Sequence, residues 1–189
     1  VLELLNDLDL CDVGQEPIHH FVNSFIGKKV EEIETNQAHR PIYELTDGQQ
    51  RMTTLYLILV RLLKRLEEMQ AEEDDIASIN SRLWVKPINQ PKISRLTFQE
   101  PSRQNFWNEL ICDLDPDATF SSENRLVEAV EAIDDFLLGK TLAELNLYRR
   151  KILTGCSCVL VDYATATEAG TLNLNEHTVF ATLNSRGLN

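Results

Sequence analysis

The sequence is organised around the stretch IYELTDGQQRMTTLYLILVRLLKRL, residues 42–66. A short apolar run over Ile42–Leu45 breaks at Thr46–Gly48, and a long helix is predicted to begin near Gln49. After Arg51 the apolar residues recur at intervals of three and four, which is the spacing of one helix face. The pattern is apolar over the first three turns and polar afterwards, so we expect the start of this helix to be anchored in the core.

The break itself, Asp47–Arg51, combines a turn-forming pair, two amides and a guanidinium. At a helix N-terminus, unpaired backbone N–H groups and the positive end of the helix dipole favour an anion. Arg51 adds a planar fork that fits phosphate or carboxylate. A structural interpretation is also open, with Asp47 as N-cap and Gln50 as the second half of a capping box. The residue types alone favour that interpretation, because caps are commoner than phosphate sites.

Length and composition describe an ordinary globular protein. The 189 residues are 43% hydrophobic and 25% charged, which fits one domain with a proper core. Thirty acidic and eighteen basic residues give a net charge of −12. This sign excludes a broad surface that grips nucleic acid through many phosphates. The apolar stretches fall well short of the roughly 18 residues of a membrane span, so we expect no membrane contact.

The four cysteines, Cys11, Cys112, Cys156 and Cys158, form no CxxC pair and have no histidine at zinc-ligand spacing. We therefore expect no metal site held by protein ligands alone, and a reducing, cytoplasmic location. The chain begins without methionine and ends close after its last glycine. We expect a single domain, residues 1–189, truncated at both ends.

Several shorter segments predict the remaining elements. Val1–Leu10 has helical spacing, and Glu16–Ser24 carries apolar residues on a compatible helical face. Phe25–Ile33 is predicted to be a strand that pairs with Ile42–Leu45 as a hairpin. Cys156–Tyr163, which is dense in Val, Leu and Cys, is predicted to be a buried central strand.

Helix starts complete the predicted architecture. One helix is expected to open at Pro101, another is capped by Ser122, and a third begins at Thr141 with Glu144 completing a capping box. Asn175 could cap a short final helix. Helices and strands together predict an α+β fold in which helices surround a small mixed sheet.

Two segments resemble the N-terminal domain of GmrSD-type restriction proteins. Asp47–Leu55, DGQQRMTTL, is similar to the DGQQR-(L/M)-TTL signature of that family. Val179–Gly187, VFATLNSRG, is similar to the F-x-x-L-N-S-R-G signature that follows the central strand in the same family. Phe25–Gly27 and Asn124–Leu126 also fall where family members place similar residues. The resemblance covers nearly the whole chain and implies a ParB/sulfiredoxin-like core with helical insertions.

The resemblance implies a regulatory domain that binds and hydrolyses nucleoside triphosphates in a bacterial DNA-restriction and phage-defence protein. The nucleotide would be bound with or without magnesium, by residues other than a Walker A motif. Arg51 would bridge phosphate oxygens, Gly48 would let the backbone approach them, and Asp47 would hold a magnesium-bound water or cap the helix. The implied catalytic residues are Asp47, Gln49, Gln50 and Arg51, and the implied nucleotide-binding residues are Gly48, Arg51, Thr53, Asn184, Ser185 and Arg186.

The implied partners are nucleotide, DNA through other domains of the full-length protein, and an HNH nuclease domain in cis or in trans. The proline-containing Q-R-x-Y-x-W stretch with which family members usually begin is not in this sequence, and neither is an HNH signature. We therefore expect no nuclease chemistry from these residues. A nucleotide- or DNA-sensing module without turnover, as in ParB-like proteins, and a purely structural domain are the alternatives.

The two signatures are predicted to meet in space although they lie far apart in the sequence. Arg51 and Arg186 would then face a shared anion, because two close arginines repel unless an anion or carboxylate lies between them. Asn184 would hydrogen-bond the ligand or a backbone group. The alternative is that Asn184 and Arg186 only secure the end of the last helix.

Overall fold

A computed structural model describes residues 1–11, 20–112 and 125–162 of the chain. The described residues form two compact units. We call the first the helical unit, which holds described residues within 1–20, 53–86 and 91–156, and the second the sheet unit, which holds those within 21–52, 87–90 and 157–162. Within the described ranges, no helix combines the length and apolar character needed to cross a membrane.

Six helices and five strands occur in these ranges, and the predicted α+β class is confirmed. In chain order they are α1 (Leu2–Asp9), β1 (His20–Glu34), β2 (His39–Asp47), α2 (Gln49–Glu68), α3 (Glu73–Leu83), β3 (Trp84–Val85), β4 (Ile93–Ser94), α4 (Pro101–Cys112), α5 (Arg125–Leu137), α6 (Leu142–Gly155) and β5 (Cys156–Asp162).

The core of the helical unit is built on α2. The predicted three-four spacing is confirmed, since Ile58, Leu62 and Leu66 are fully buried. The largest fully buried side chains in the same core are Trp107 of α4 and Tyr148 of α6. Burial of each large apolar side chain contributes roughly 1.5–3 kcal/mol relative to exposure, so this cluster fixes the position of α2.

Two buried tyrosines satisfy their hydroxyl groups inside this core. Tyr56 donates to the carbonyl of Leu83 and lies 2.7 Å from Ser94 Oγ. The Tyr148 hydroxyl donates to the carbonyl of Leu5 at 3.3 Å. Burial raises the pKa of both phenols, so each stays protonated as a hydrogen-bond donor.

The predicted capping box at the start of α6 is confirmed. Thr141 Oγ1 accepts a hydrogen bond from the Glu144 N–H at 3.3 Å, and Glu144 Oε2 accepts one from the Thr141 N–H at 2.7 Å. The hydrogen bond from the Thr141 backbone, with a second from its hydroxyl, holds the pKa of the Glu144 carboxyl below its usual range. The box satisfies two donors that the helix end would otherwise leave unpaired.

The sheet unit contains the predicted hairpin. Strands β1 and β2 pair antiparallel from Ile26 opposite Asp47 to Glu34 opposite His39, with irregularities after Ile26 and after Lys29. The strand order is β2-β1-β5. Strand β1 begins at His20, so the helical interpretation of the segment up to Ser24 is wrong where that segment is described.

The prediction of a buried central strand at Cys156–Tyr163 is also wrong for the described residues. Strand β5 is present, but it stands at the end of the strand order, and Val159 and Leu160 are 49% and 42% exposed. A short apolar run predicts a strand without deciding whether its faces and edges are covered. Tyr163 lies outside the described residues.

Candidate functional site

The turn between β2 and α2 is set by Gly48. This residue is buried and has φ +85°, a conformation that residues with a side chain rarely adopt. A Cβ at this position would overlap Cδ1 of Phe25 and lie 3.0 Å from its Cε1. Since Phe25 is only 2% exposed, its ring has little room to withdraw. Both the backbone conformation and the packing therefore require glycine here.

Gly48 is also the N-cap of α2. The Met52 N–H donates to the Gly48 carbonyl at 3.0 Å, which is the first hydrogen bond within the helix. Asp47 precedes the cap and is the last residue of β2, where it lies opposite Ile26. The capping-box interpretation, which needs Asp47 at the N-cap and Gln50 three residues later, is therefore wrong. A glycine cap offers no side chain to the amides of the first turn.

The side chains around the first turn of α2 differ in exposure and in their hydrogen bonds. Gln49, Gln50 and Arg51 are exposed, whereas Asp47 is half-buried. Gln49 Nε2 donates to the carbonyl of Leu45, so this side chain is tied to strand β2. Among the described residues, no ion pair involves Arg51. The Arg51 guanidinium is therefore exposed to solvent, where its N–H groups can bind an anion.

This geometry can stabilise an anion at the start of α2. The helix has 20 residues, and its first-turn amides and dipole place partial positive charge at its N-terminus. Arg51 contributes a full positive charge on the same turn in a chain whose net charge is −12. The positive charge is local, as a site for one phosphate group requires.

Thr53, which the sequence implicates in nucleotide binding, is only 8% exposed and is assigned to the helical unit. Thr53 also takes part in an interaction within the protein. Asn184, Ser185 and Arg186 lie outside the described residues. The predicted proximity of the two signatures, with Arg51 and Arg186 at a shared anion, involves these residues and therefore stays a prediction.

Sequence reasoning missed the part that Phe25 plays at this turn. The hairpin register brings Ile26 opposite Asp47, and this places Phe25 against Gly48. Gly27, two residues after Phe25, also lies close to β2, because a Cβ there would lie 3.0 Å from the Glu44 carbonyl oxygen. The available signal in the sequence was Phe25, two positions before Gly27. That Phe25 packs against Gly48 depends on the β1–β2 register, which the sequence does not specify.

Comparison with known proteins identifies the family. No curated protein matches the chain. The profile of the family described as the GmrSD restriction endonuclease, N-terminal domain, matches residues 1–189, the whole chain. The chain therefore belongs to the family of GmrSD restriction endonuclease N-terminal domains.

Proposed function

We propose that this domain binds a nucleoside triphosphate through Asp47–Arg51 and hydrolyses it to regulate DNA restriction. The observation that carries the proposal is the glycine cap, Gly48, at the first turn of α2, with an exposed Arg51 on the same turn. Membership of a restriction endonuclease family supplies the cellular context.

The phosphate is the part of the ligand that this turn suits. Backbone N–H groups at a helix N-terminus and a nearby guanidinium together bind phosphate oxygens in many proteins. Gly48 has no side chain that could accept hydrogen bonds from the first-turn amides in place of a phosphate. Arg51 would bridge two phosphate oxygens, and loss of such a charged contact costs roughly 1.5–3 kcal/mol.

The remaining residues of the segment take supporting roles in this proposal. Gln50 orients the attacking water or the base, whereas Gln49 positions the turn through its bond to the Leu45 carbonyl. The second signature, Asn184–Arg186, completes the phosphate site, and Thr53 supports the helix that carries it.

Magnesium fits the donor set in a limited way. Asp47 is the only carboxylate of Asp47–Arg51, and Mg²⁺ is often held by one carboxylate together with water and the phosphates of its nucleotide. Asp47 would hold such a water-bound ion at the end of β2. The ion would neutralise charge that develops on the phosphates.

In the intact system this domain would act on DNA through its partners. DNA contacts belong to other domains of the full-length protein, and an HNH nuclease domain in cis or in trans cuts the strand. We place the system in the bacterial cytoplasm, where it would act against phage DNA.

Nucleotide binding and phosphate release test the proposal. Titration with a fluorescent triphosphate should show saturable binding that Arg51→Ala weakens by about 10- to 150-fold. Arg82→Ala is the matched control, because Arg82 is an exposed arginine in the last turn of α3. Binding that responds equally to both variants, or no binding at all, would refute the proposal.

Release of inorganic phosphate with magnesium separates turnover from sensing. The second candidate, a nucleotide sensor without turnover, is favoured by the single carboxylate of Asp47–Arg51, because hydrolysis usually needs more than one group to hold the ion and water. Tight binding without phosphate release would select the sensor.

A further inference from the structure

Two cysteines of the helical unit lie where the end of α1 meets the last turns of α6. Lys151 of α6 donates to the carbonyl of Asp9, and its Nζ also lies 3.3 Å from Asp9 Oδ1. Cys11 follows Asp9 by two residues, and Cys156 Sγ donates to the Lys151 carbonyl at 3.7 Å. The contact between Lys151 and Asp9 therefore joins the two chain segments that carry these thiols.

Local contacts hold each thiol at this junction. The Cys11 N–H donates to the Leu8 carbonyl at 3.3 Å, so the chain stays wound after α1, and Cys11 Sγ donates to the Asp7 carbonyl at 3.6 Å. Cys156 packs against the core of the helical unit. Cys11 is only 3% exposed, whereas Cys156 is half-buried. Cys156 is thus the thiol of this pair that a small reagent reaches first.

The hydroxyl of Tyr148 is a common neighbour of both thiols. It donates to the Leu5 carbonyl at 3.3 Å and so lies between α6 and α1. Burial, then the charge of Asp9, and then the thiolates of Cys156 and Cys11 raise the pKa of this phenol. Because electrostatic interactions weaken with distance, both sulfur atoms lie in the neighbourhood of one hydroxyl group.

We infer that Cys11 and Cys156 form a reversible disulfide when the protein meets a peroxide, and that this bond ties α1 to α6. All four cysteines of the chain are thiols in the structure, so it shows the reduced form. Transient disulfides of this kind in a reducing compartment are typical of redox sensing. The pair shares no residue with Asp47–Arg51 and is therefore independent of the nucleotide proposal.

The oxidation proceeds in two steps. The Cys156 thiolate attacks one oxygen of hydrogen peroxide, the O–O bond breaks, and a sulfenic acid and hydroxide form. The Cys11 thiolate then attacks the sulfenic sulfur and displaces a second hydroxide, which leaves the disulfide. The two thiol protons convert both hydroxides to water, so the thiols lose two electrons and the peroxide gains them.

The other two cysteines are poorer partners for Cys156. Cys158 stands two residues further along strand β5, and side chains at that spacing on a strand lie roughly 6.5 Å apart. This separation exceeds the roughly 3.5–4.5 Å between the Cβ atoms of a disulfide. Cys112 is exposed at the end of α4. Both residues therefore serve as control thiols.

Peptide mapping by mass spectrometry without reduction tests the inference. After treatment with hydrogen peroxide, the wild-type chain should yield a cross-linked peptide pair that joins Cys11 to Cys156 and is lighter by two hydrogens than the separate thiol peptides. Dithiothreitol should release the two peptides. The yield should not depend on protein concentration, because the bond forms within one chain.

Variants separate the roles of the two thiols. Cys11→Ala removes the thiol that resolves the sulfenic acid, so oxidation of Cys156 should stop at a sulfenic acid that dimedone labels. Cys158→Ser is the matched control, and it should form the Cys11–Cys156 bond as the wild type does. In a Cys112→Ser/Cys158→Ser protein, oxidation should raise the urea midpoint by roughly 1–2 M, because the cross-link restricts the unfolded chain.

Three results would each overturn the inference. The first is oxidised wild-type protein without a Cys11–Cys156 peptide. The second is a cross-link through Cys112 or Cys158 instead, or one between two molecules. The third is an unchanged urea midpoint after oxidation, which would show that the bond does not tie α1 to α6. Peptide mapping of the wild type decides the matter if Cys11→Ala does not fold.

Discussion

Substitution of Gly48 by alanine should destabilise the β2–α2 turn for two separable reasons. A residue with a side chain held at φ +85° costs about 1–2 kcal/mol. Overlap of the new Cβ with the buried Phe25 ring adds about 1–3 kcal/mol, because a packed core relaxes only partly. Gly48→Ala should therefore cost about 2–5 kcal/mol of unfolding free energy.

The chain offers a control position at which alanine would incur the backbone penalty without overlapping another side chain. Gly139 has φ +83°, and a Cβ there would meet no atom within 4 Å. Gly139→Ala should cost only the backbone penalty of about 1–2 kcal/mol. Urea unfolding followed by circular dichroism measures both variants, and hydrogen exchange of the β1 and β2 amides shows whether the loss is local to the sheet unit.

The same substitution in a Phe25→Leu protein isolates the energetic cost of overlap with the Phe25 ring. In a Phe25→Leu protein the ring is gone, so Gly48→Ala should cost about as much as Gly139→Ala does. If Gly48→Ala costs no more than Gly139→Ala in the wild-type background, or if Phe25→Leu leaves its cost unchanged, packing against Phe25 does not fix the turn.

Three further outcomes are expected. Arg51→Lys keeps the charge but loses the planar fork, so triphosphate affinity should fall between those of the wild type and Arg51→Ala in the fluorescence titration; full affinity would show that charge alone acts there. Tyr56→Phe should lower the unfolding free energy by about 0.5–1.5 kcal/mol, because Ser94 loses a buried partner; an unchanged urea midpoint would contradict this. Thr141→Ala should cost about 1 kcal/mol through the lost cap. The pKa of Glu144 is lowered first by the Thr141 backbone N–H and then by the Thr141 hydroxyl, so the contribution of Glu144 is present above the ordinary glutamate pKa and is lost as the pH falls through the folded-state value. Thr141→Ala removes the hydroxyl donor and keeps the backbone donor, so it should reduce that acid limb of the stability profile only in part.

Local patterns in the sequence correctly predicted features that depend on residues within a single helix. The three-four spacing of α2 and the capping box at Thr141 both describe interactions within a single helix, and both are confirmed. Family membership, predicted from the DGQQR segment, is confirmed as well. These features are encoded over a few neighbouring residues, and so they can be recognised without coordinates.

The wrong predictions concern features that are decided by strand pairing between residues distant in the sequence. Asp47 is paired with Ile26 in the β ladder, and this pairing moves the N-cap one residue along to Gly48. The ladder likewise extends β1 back to His20 over a segment whose apolar spacing also suits a helix. The exposed position of β5 follows from strand order, which an apolar run does not specify.

The hydrogen bond between Tyr148 and the Leu5 carbonyl joins residues 143 positions apart, and α1 packs on both α5 and α6. On the ribosome, α1 is made well before α5 and α6, the two helices on which it packs. At about 5–20 residues per second, Leu5 and Leu8 wait roughly 7–30 s for the helices that bury them. A chain that stops before α6 lacks one of the two helices on which α1 packs and the Tyr148 hydrogen bond to Leu5, so loss of α6 should loosen α1 as well.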